Sequence, residues 1–163
     1  GHNQYAPMAG VPVLRNSIAD KTRAFYGIDL DANSEVTVVS GATEALFASI
    51  HCCVFPGDEV IMFDPSYDAY DPIVRLAGGV PVHIQLKASE GFRIDWAELA
   101  RKISPKTRAI MVNTPHNPTG SVWAMEDLDA PEIADILQIS QGAVRVRLNR
   151  AKTELMELMQ DGR

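Results

Sequence analysis

The chain has 163 residues and a formal net charge of −6 at pH 7, with 46% hydrophobic and 22% charged residues. This composition is typical of a globular protein and excludes an intrinsically disordered one, and the length allows one domain or one domain with a small appendage. The apolar runs are too short to span a bilayer, so no membrane partner is expected. The sequence does not open with a basic, apolar and small-residue signal pattern, and its two cysteines are adjacent. Both observations predict a cytoplasmic protein.

Helical and strand-like segments alternate through the first 112 residues. Apolar residues at helical spacing, or runs rich in Ala, Leu and Ile, predict helices over residues 14–26, 42–54, 67–76 and 95–103. Asp95, with Glu98 three residues later, resembles a capping box at the start of the last of these helices. Short runs of mostly β-branched or apolar residues predict strands over residues 36–39, 59–63, 80–86 and 108–112.

This alternation predicts an α/β fold. Most of the strands are apolar on both faces, which is typical of a parallel or mostly parallel sheet with helices on both sides. An acidic stretch over residues 125–130 ends before Pro131 and is the expected boundary. The sequence thus predicts an α/β domain over residues 1–128 and a short helical segment over residues 129–163.

The helical segment has the pattern of two helices joined by a turn. A short helix is expected over residues 132–138, with Ile139 and Ser140 in the turn. Ser140 can cap a second helix that runs to about residue 160. Basic residues cluster near the start of that helix, and no acidic residue lies between positions 140 and 152.

Four motifs stand in order along residues 1–123: Asn3-Gln4-Tyr5, Ser40-Gly41-Ala42-Thr43-Glu44-Ala45, Asp64-Pro65-Ser66-Tyr67-Asp68-Ala69-Tyr70 and Asn117-Pro118-Thr119-Gly120. Each motif alone is a weak signal, but four in register resemble the large domain of fold-type-I, pyridoxal-phosphate-dependent aminotransferases. The methionine and kynurenine aminotransferase branch is the most similar. The resemblance implies a partial large domain that transfers amino groups between amino acids and 2-oxo acids.

The resemblance assigns a cofactor role to six residues: Gly41, Ala42, Thr43, Tyr67, Asn117 and Tyr5. Gly41 permits a sharp turn, after which the amides of Ala42 and Thr43 open a helix and point at the cofactor's phosphate. Tyr67 matches the aromatic residue that stacks on the pyridine ring, and Asn117 matches the amide that bonds the ring's phenolic oxygen. Tyr5 matches a tyrosine that reaches the neighbour's phosphate across a homodimer. The alternatives are an ordinary strand-to-helix turn, a core aromatic residue, an ordinary Asn-Pro turn and a surface loop.

The residues that carry the chemistry of this family are not matched. The Schiff-base lysine, the aspartate beneath the pyridine nitrogen and the arginine that grips the substrate carboxylate lie downstream of Asn-Pro-x-Gly in the family. The lysines of this chain stand in no matching context. We therefore expect a truncated aminotransferase that holds pyridoxal phosphate non-covalently at best and does not transaminate alone.

Residues 131–155 carry a second resemblance, to the last two helices of region 4 in sigma-70-type factors of the extracytoplasmic class. That family implies DNA as a partner in transcription initiation, with the second helix in the major groove. The residues assigned to DNA are Gln141, Arg145, Arg147, Arg150 and Lys152. Two alternatives are an amphipathic helical hairpin packed on the first domain, and a chimeric reading frame that has no single function.

Overall fold

The computed structural model describes Tyr5 and residues 7–123. These residues belong to two compact units, of which the first ends at Ala42 and the second begins at Thr43. The helices and the helix-turn-helix predicted beyond residue 123 lie outside the described residues.

The first unit contains one described helix, α1, which spans Pro12–Tyr26. Pro12 occupies its first turn, where a missing N–H costs no hydrogen bond, and Gly27 ends it in the left-handed conformation with φ 63°. The buried Arg15 side chain fastens α1 to the segment that follows, because its Nε donates to the carbonyl oxygen of Val36 at 2.9 Å.

The strand predicted over residues 36–39 is wrong. These residues are not assigned to a strand. The carbonyl oxygen of Val36 is taken by Arg15, and the amide of Val38 donates to the carbonyl oxygen of Ala9 at 3.0 Å. The β-branched composition reflects burial of Val36, which is 6% exposed, rather than a place in a sheet.

The remaining elements alternate as predicted. Helix α2 spans Ala42–Cys53, and the strands are β1, Glu59–Asp64, β2, Val80–Gln85, and β3, Thr107–Ile110. Helix α3 covers Tyr70–Leu76, a short 3-10 helix covers Ala88–Glu90, and α4 covers Trp96–Lys102. Helix α3 begins three residues later than predicted, because the chain turns after Pro65 and the first helical amide, of Tyr70, donates to the carbonyl oxygen of Tyr67 at 3.1 Å. Tyr67 therefore lies in a loop.

The three strands form a parallel sheet with the order β2-β1-β3, which confirms the predicted α/β class. Strand β1 is central. It pairs with β2 from Glu59 opposite Val80 to Asp64 opposite Gln85, and with β3 through Val60 opposite Ala109.

Apolar side chains cover both faces of this sheet, as the sequence predicted. Alternate residues of β1 point to opposite faces. Ile61 and Phe63 belong to a cluster with Ile84, Leu86, Ile94, Leu99 and Trp123. Val60 and Met62 belong to a second cluster with Ile50, Val54, Ile73 and Val74. The sheet is therefore the middle layer of this unit.

The predicted acidic cap is present at the start of α4. The Asp95 carboxylate accepts a hydrogen bond from the backbone amide of Glu98 at 2.9 Å. Replacing Asp95 by alanine leaves that amide without its partner, so we expect the free energy of unfolding to fall by about 1 kcal/mol. Urea unfolding followed by circular dichroism measures this loss. Asp95→Asn is the matched control, because asparagine keeps the accepting oxygen, and equal losses in both variants would contradict the capping role.

Within the part of the chain that the structure describes, no helix is long and apolar enough to cross a membrane.

Candidate cofactor site

The turn that leads into α2 has the conformation that the glycine at position 41 allows. Gly41 has φ 97°, a backbone conformation that L side chains rarely adopt, and its amide donates to the carbonyl oxygen of Val39 at 2.9 Å. Helix α2 begins at the next residue, Ala42. The amides of Ala42 and Thr43 therefore lie in the first turn, where backbone N–H groups have no carbonyl partner within the helix. This end of a helix favours an anion.

The structure brings Thr43 together with Tyr67. The Thr43 hydroxyl oxygen lies 3.3 Å from the Tyr67 hydroxyl oxygen, and either group can donate. Tyr67 is half-buried, and its ring meets Tyr70 edge-on at 5.6 Å between centroids. Thr43, at the start of α2, and Tyr67, in the loop after β1, are therefore in contact although they are 24 positions apart in the sequence.

The loop that carries Asn117 leaves the sheet at the same end as the loop that carries Tyr67. The loop with Tyr67 follows β1, and the loop with Asn117 follows β3, which is the parallel neighbour of β1. Loops that leave the carboxyl ends of adjacent parallel strands form the usual ligand-binding edge of such sheets. Asn117 itself is exposed.

The turn that carries Asn117 is fixed by its neighbours. The His116 amide donates to the carbonyl oxygen of Ser121 at 2.8 Å, and the Gly120 amide donates to the carbonyl oxygen of His116 at 2.7 Å. Gly120 has φ 71°, which the turn requires and which glycine adopts without strain.

His116 is a structural residue of this turn that sequence reasoning left without a role. Its ring is buried, stacks on Trp123 at 4.8 Å between centroids, and has Nδ1 2.8 Å from the Thr119 hydroxyl. Burial lowers the pKa of His116 below its ordinary value, and a hydrogen bond with the Phe63 backbone opposes this shift. The neutral ring is therefore favoured in the fold. His116 belongs to none of the four motifs. Its contacts with Trp123 and Thr119 form only when the turn folds, so the sequence does not reveal them.

Tyr5 lies in the first unit and is fully exposed. Its predicted contact with a second copy stays a prediction.

This chain resembles proteins of known family and structure. The sequence matches the family Aminotransferase class I and II over residues 1–142. The chain belongs to the class I and II aminotransferases. It is 52% identical over 130 residues to the methionine aminotransferase of Escherichia coli K12, an alignment that spans 80% of this chain and 33% of that protein. It is 43% identical over 144 residues to a probable N-succinyldiaminopimelate aminotransferase of Mycobacterium tuberculosis, spanning 88% of this chain and 35% of that protein.

Solved aminotransferase structures have the same fold. A crystal structure of an Escherichia coli methionine aminotransferase superimposes with a TM-score of 0.77 at 48% identity, covering 85% of this chain and 36% of that one. An aromatic aminotransferase of Pyrococcus horikoshii superimposes with a TM-score of 0.74 at 36% identity, covering 83% of this chain and 36% of that one. This aminotransferase chain therefore spans about a third of the length of the curated relatives it matches.

The residues assigned to DNA, Gln141, Arg145, Arg147, Arg150 and Lys152, lie outside the described residues. The family match itself extends to residue 142, into the segment predicted as a helix-turn-helix. The sigma-factor resemblance and the boundary at residue 128 stay predictions from the sequence alone.

Proposed function

We propose that this chain supplies the phosphate-binding and ring-binding part of a pyridoxal-phosphate-dependent aminotransferase, which transfers an amino group between an amino acid and a 2-oxo acid. The 3.3 Å approach of the Thr43 hydroxyl to the Tyr67 hydroxyl carries the proposal. It places a side chain suited to a phosphate beside one suited to an aromatic ring, at the start of a helix.

The residues present fit this cofactor. The Ala42 and Thr43 amides and the Thr43 hydroxyl can donate to phosphate oxygens, and the positive end of α2 favours the charge. The Tyr67 ring offers a flat face that excludes water from one side of an aromatic ligand. The Asn117 amide can donate a hydrogen bond to a ring oxygen. Bound pyridoxal phosphate supplies an electron-accepting ring that carries the amino group between substrates.

Two described lysines near this sheet have other partners. Lys102 forms an ion pair with Glu98 at 3.2 Å, and Lys87 forms one with Glu90 at 2.9 Å. We therefore assign neither Lys87 nor Lys102 a covalent bond to the cofactor, and we propose that the described residues hold it non-covalently.

The substrate class follows from the family alone. The relatives are named for methionine and for N-succinyldiaminopimelate, so they share only the amino-acid and 2-oxo-acid chemistry. The proposal includes a homodimer in which the exposed Tyr5 reaches the phosphate held by the other copy.

Isothermal titration with pyridoxamine 5′-phosphate tests the site. This probe has no aldehyde, so it does not react with surface lysines. We expect the full chain to bind it and inorganic phosphate to compete. Thr43→Val removes one hydrogen bond to a charged group, worth about 1.5–3 kcal/mol, and should weaken binding roughly ten- to a hundredfold.

Thr22→Val is the matched control. Thr22 lies in α1, where its hydroxyl donates to the carbonyl oxygen of Ile18 at 2.8 Å, and this variant should bind as the unmodified chain does. Absence of binding by the unmodified chain, or equal affinities of the two variants, would contradict the proposed site.

A further inference from the structure

A histidine of β2 bridges the two carboxylates that flank the loop with Tyr67. His83 Nδ1 lies 2.8 Å from Oδ2 of Asp64, and His83 Nε2 lies 2.9 Å from Oδ2 of Asp71. Asp64 is the last residue of β1, and Asp71 is the second residue of α3. One imidazole ring therefore joins the two elements that flank the loop over residues 65–69.

Neighbouring side chains hold the two carboxylates in place. The second oxygen of Asp64 accepts from the Ser66 hydroxyl at 3.0 Å, and Gln85 Nε2 donates to Oδ2 of Asp64 at 2.9 Å. On the other side, Arg75 binds both oxygens of Asp71, at 2.6 and 3.1 Å. Arg75, and to a lesser extent His83, hold the pKa of Asp71 below its ordinary range.

The position of His83 in β2 fixes where its ring lies. His83 lies opposite Met62 of the central strand, and its carbonyl oxygen accepts a hydrogen bond from Lys102 Nζ of α4. Its side chain is 33% exposed, and those of Asp64 and Asp71 are 21% and 30% exposed. The bridge is thus partly shielded from water, which strengthens hydrogen bonds to the carboxylates.

We propose that His83 is a positioning residue, which holds the loop over residues 65–69 so that Tyr67 meets Thr43 at the cofactor site. This inference rests on the proposed function, because Tyr67 is the residue through which His83 acts. Within the loop, the backbone bond between Tyr70 and Tyr67 closes only the turn into α3. Ala69 and Tyr70 also pack on the cluster that contains Val60 and Met62. The polar side-chain connection between the end of β1 and the start of α3 runs through His83.

A double-mutant cycle on pyridoxamine 5′-phosphate affinity tests this role. His83→Asn cannot reach both carboxylates with the geometry of the ring, and we expect it to weaken binding roughly tenfold, a size typical of coupled neighbours. Tyr67→Ala should weaken binding at least as much. Adding His83→Asn to Tyr67→Ala should then cause no further loss. A full additional loss in the double variant means that His83 acts independently of Tyr67 and overturns the proposal.

Hydrogen exchange followed by mass spectrometry tests the bridge without any cofactor. A peptide that spans residues 66–70 should exchange faster in His83→Asn through the Tyr70 amide, which donates to Tyr67, while the amides of residues 60–63 in β1 should be unchanged. His51→Asn is the matched control, since His51 is exposed near the end of α2, and it should alter neither exchange nor affinity. If His83→Asn does not fold, His83→Gln replaces it in both measurements.

The two measurements separate the inference from the proposed function. If the unmodified chain does not bind the probe, the proposed function fails, whereas the exchange of residues 66–70 still decides whether the bridge fixes the loop. If the unmodified chain binds and His83→Asn binds equally well, the positioning role is overturned and the proposed function stands.

Discussion

Replacing Ile61 by alanine is expected to lower the free energy of unfolding by about 2–5 kcal/mol. Ile61 lies on the central strand, is 0% exposed, and packs in the cluster that contains Phe63, Ile84 and Trp123. Alanine removes buried methyl and methylene groups and leaves a cavity that strands on both sides prevent from closing. Single domains are stable by about 5–15 kcal/mol, so this variant should lose a large part of its stability.

Urea unfolding, followed by far-ultraviolet circular dichroism, measures the loss from Ile61→Ala. Val80→Ala is the matched control, because Val80 is also aliphatic and lies on a strand but is 48% exposed. We expect less than about 1 kcal/mol for the control, as for most surface substitutions. Similar losses in the two variants would mean that the sheet does not have the buried centre described above.

Replacing His116 by asparagine is expected to cost about 1–3 kcal/mol of unfolding free energy at pH 7.5, because the ring's stacking on Trp123 is lost and its buried hydrogen bond is disturbed. The matched control is His51→Asn, whose ring is stacked on Phe47 at an exposed position and should contribute much less. Chemical denaturation of both variants gives the comparison.

The cost of His116→Asn should shrink as the pH falls. Burial lowers the pKa of His116, so the unfolded chain takes up this proton at a higher pH than the fold does. Below about pH 6.5, the ordinary histidine value, the unfolded state binds more protons and the histidine's contribution to stability declines. Above that pH the contribution is complete. Unfolding at pH 7.5 and 5.5 measures the change, and an equal cost at both values would contradict a neutral buried ring.

The sequence predicted the sheet because its signal is local. Residues 60–63 are apolar on both faces, and a strand buried on both faces requires this pattern whatever its neighbours are. The strand predicted over residues 36–39 has similar composition but no place in a sheet. The difference lies in a contact with Arg15, which is 21 residues from Val36 in the sequence. The Arg15 side chain binds the carbonyl oxygen of Val36, which a neighbouring strand would otherwise need as an acceptor. The composition of residues 36–39 alone does not predict that contact.

The sequence likewise predicted only part of the candidate site. Gly41, Thr43, Tyr67 and Asn117 stand in motifs, and the structure places Thr43 beside Tyr67. Their roles toward a cofactor remain proposals. His83 stands in no motif. Its partners Asp64 and Asp71 lie 19 and 12 residues away in the sequence, and strand pairing and the position of α3 bring them to the ring. Contacts of this kind follow from the register of the sheet, which the sequence pattern does not specify.

The turn before α2 imposes a requirement of handedness and not of size. A methyl group built on Gly41 would meet no described atom within 4 Å, so there is room for a side chain. The backbone, with φ 97°, is nevertheless one that an L residue enters only with strain of about 1–2 kcal/mol. A D residue, unlike an L residue, adopts a positive φ without strain. Among the genetically encoded residues the turn accepts only the achiral one without strain, and a substitution here would disturb the helix start through the backbone, with no steric collision involved.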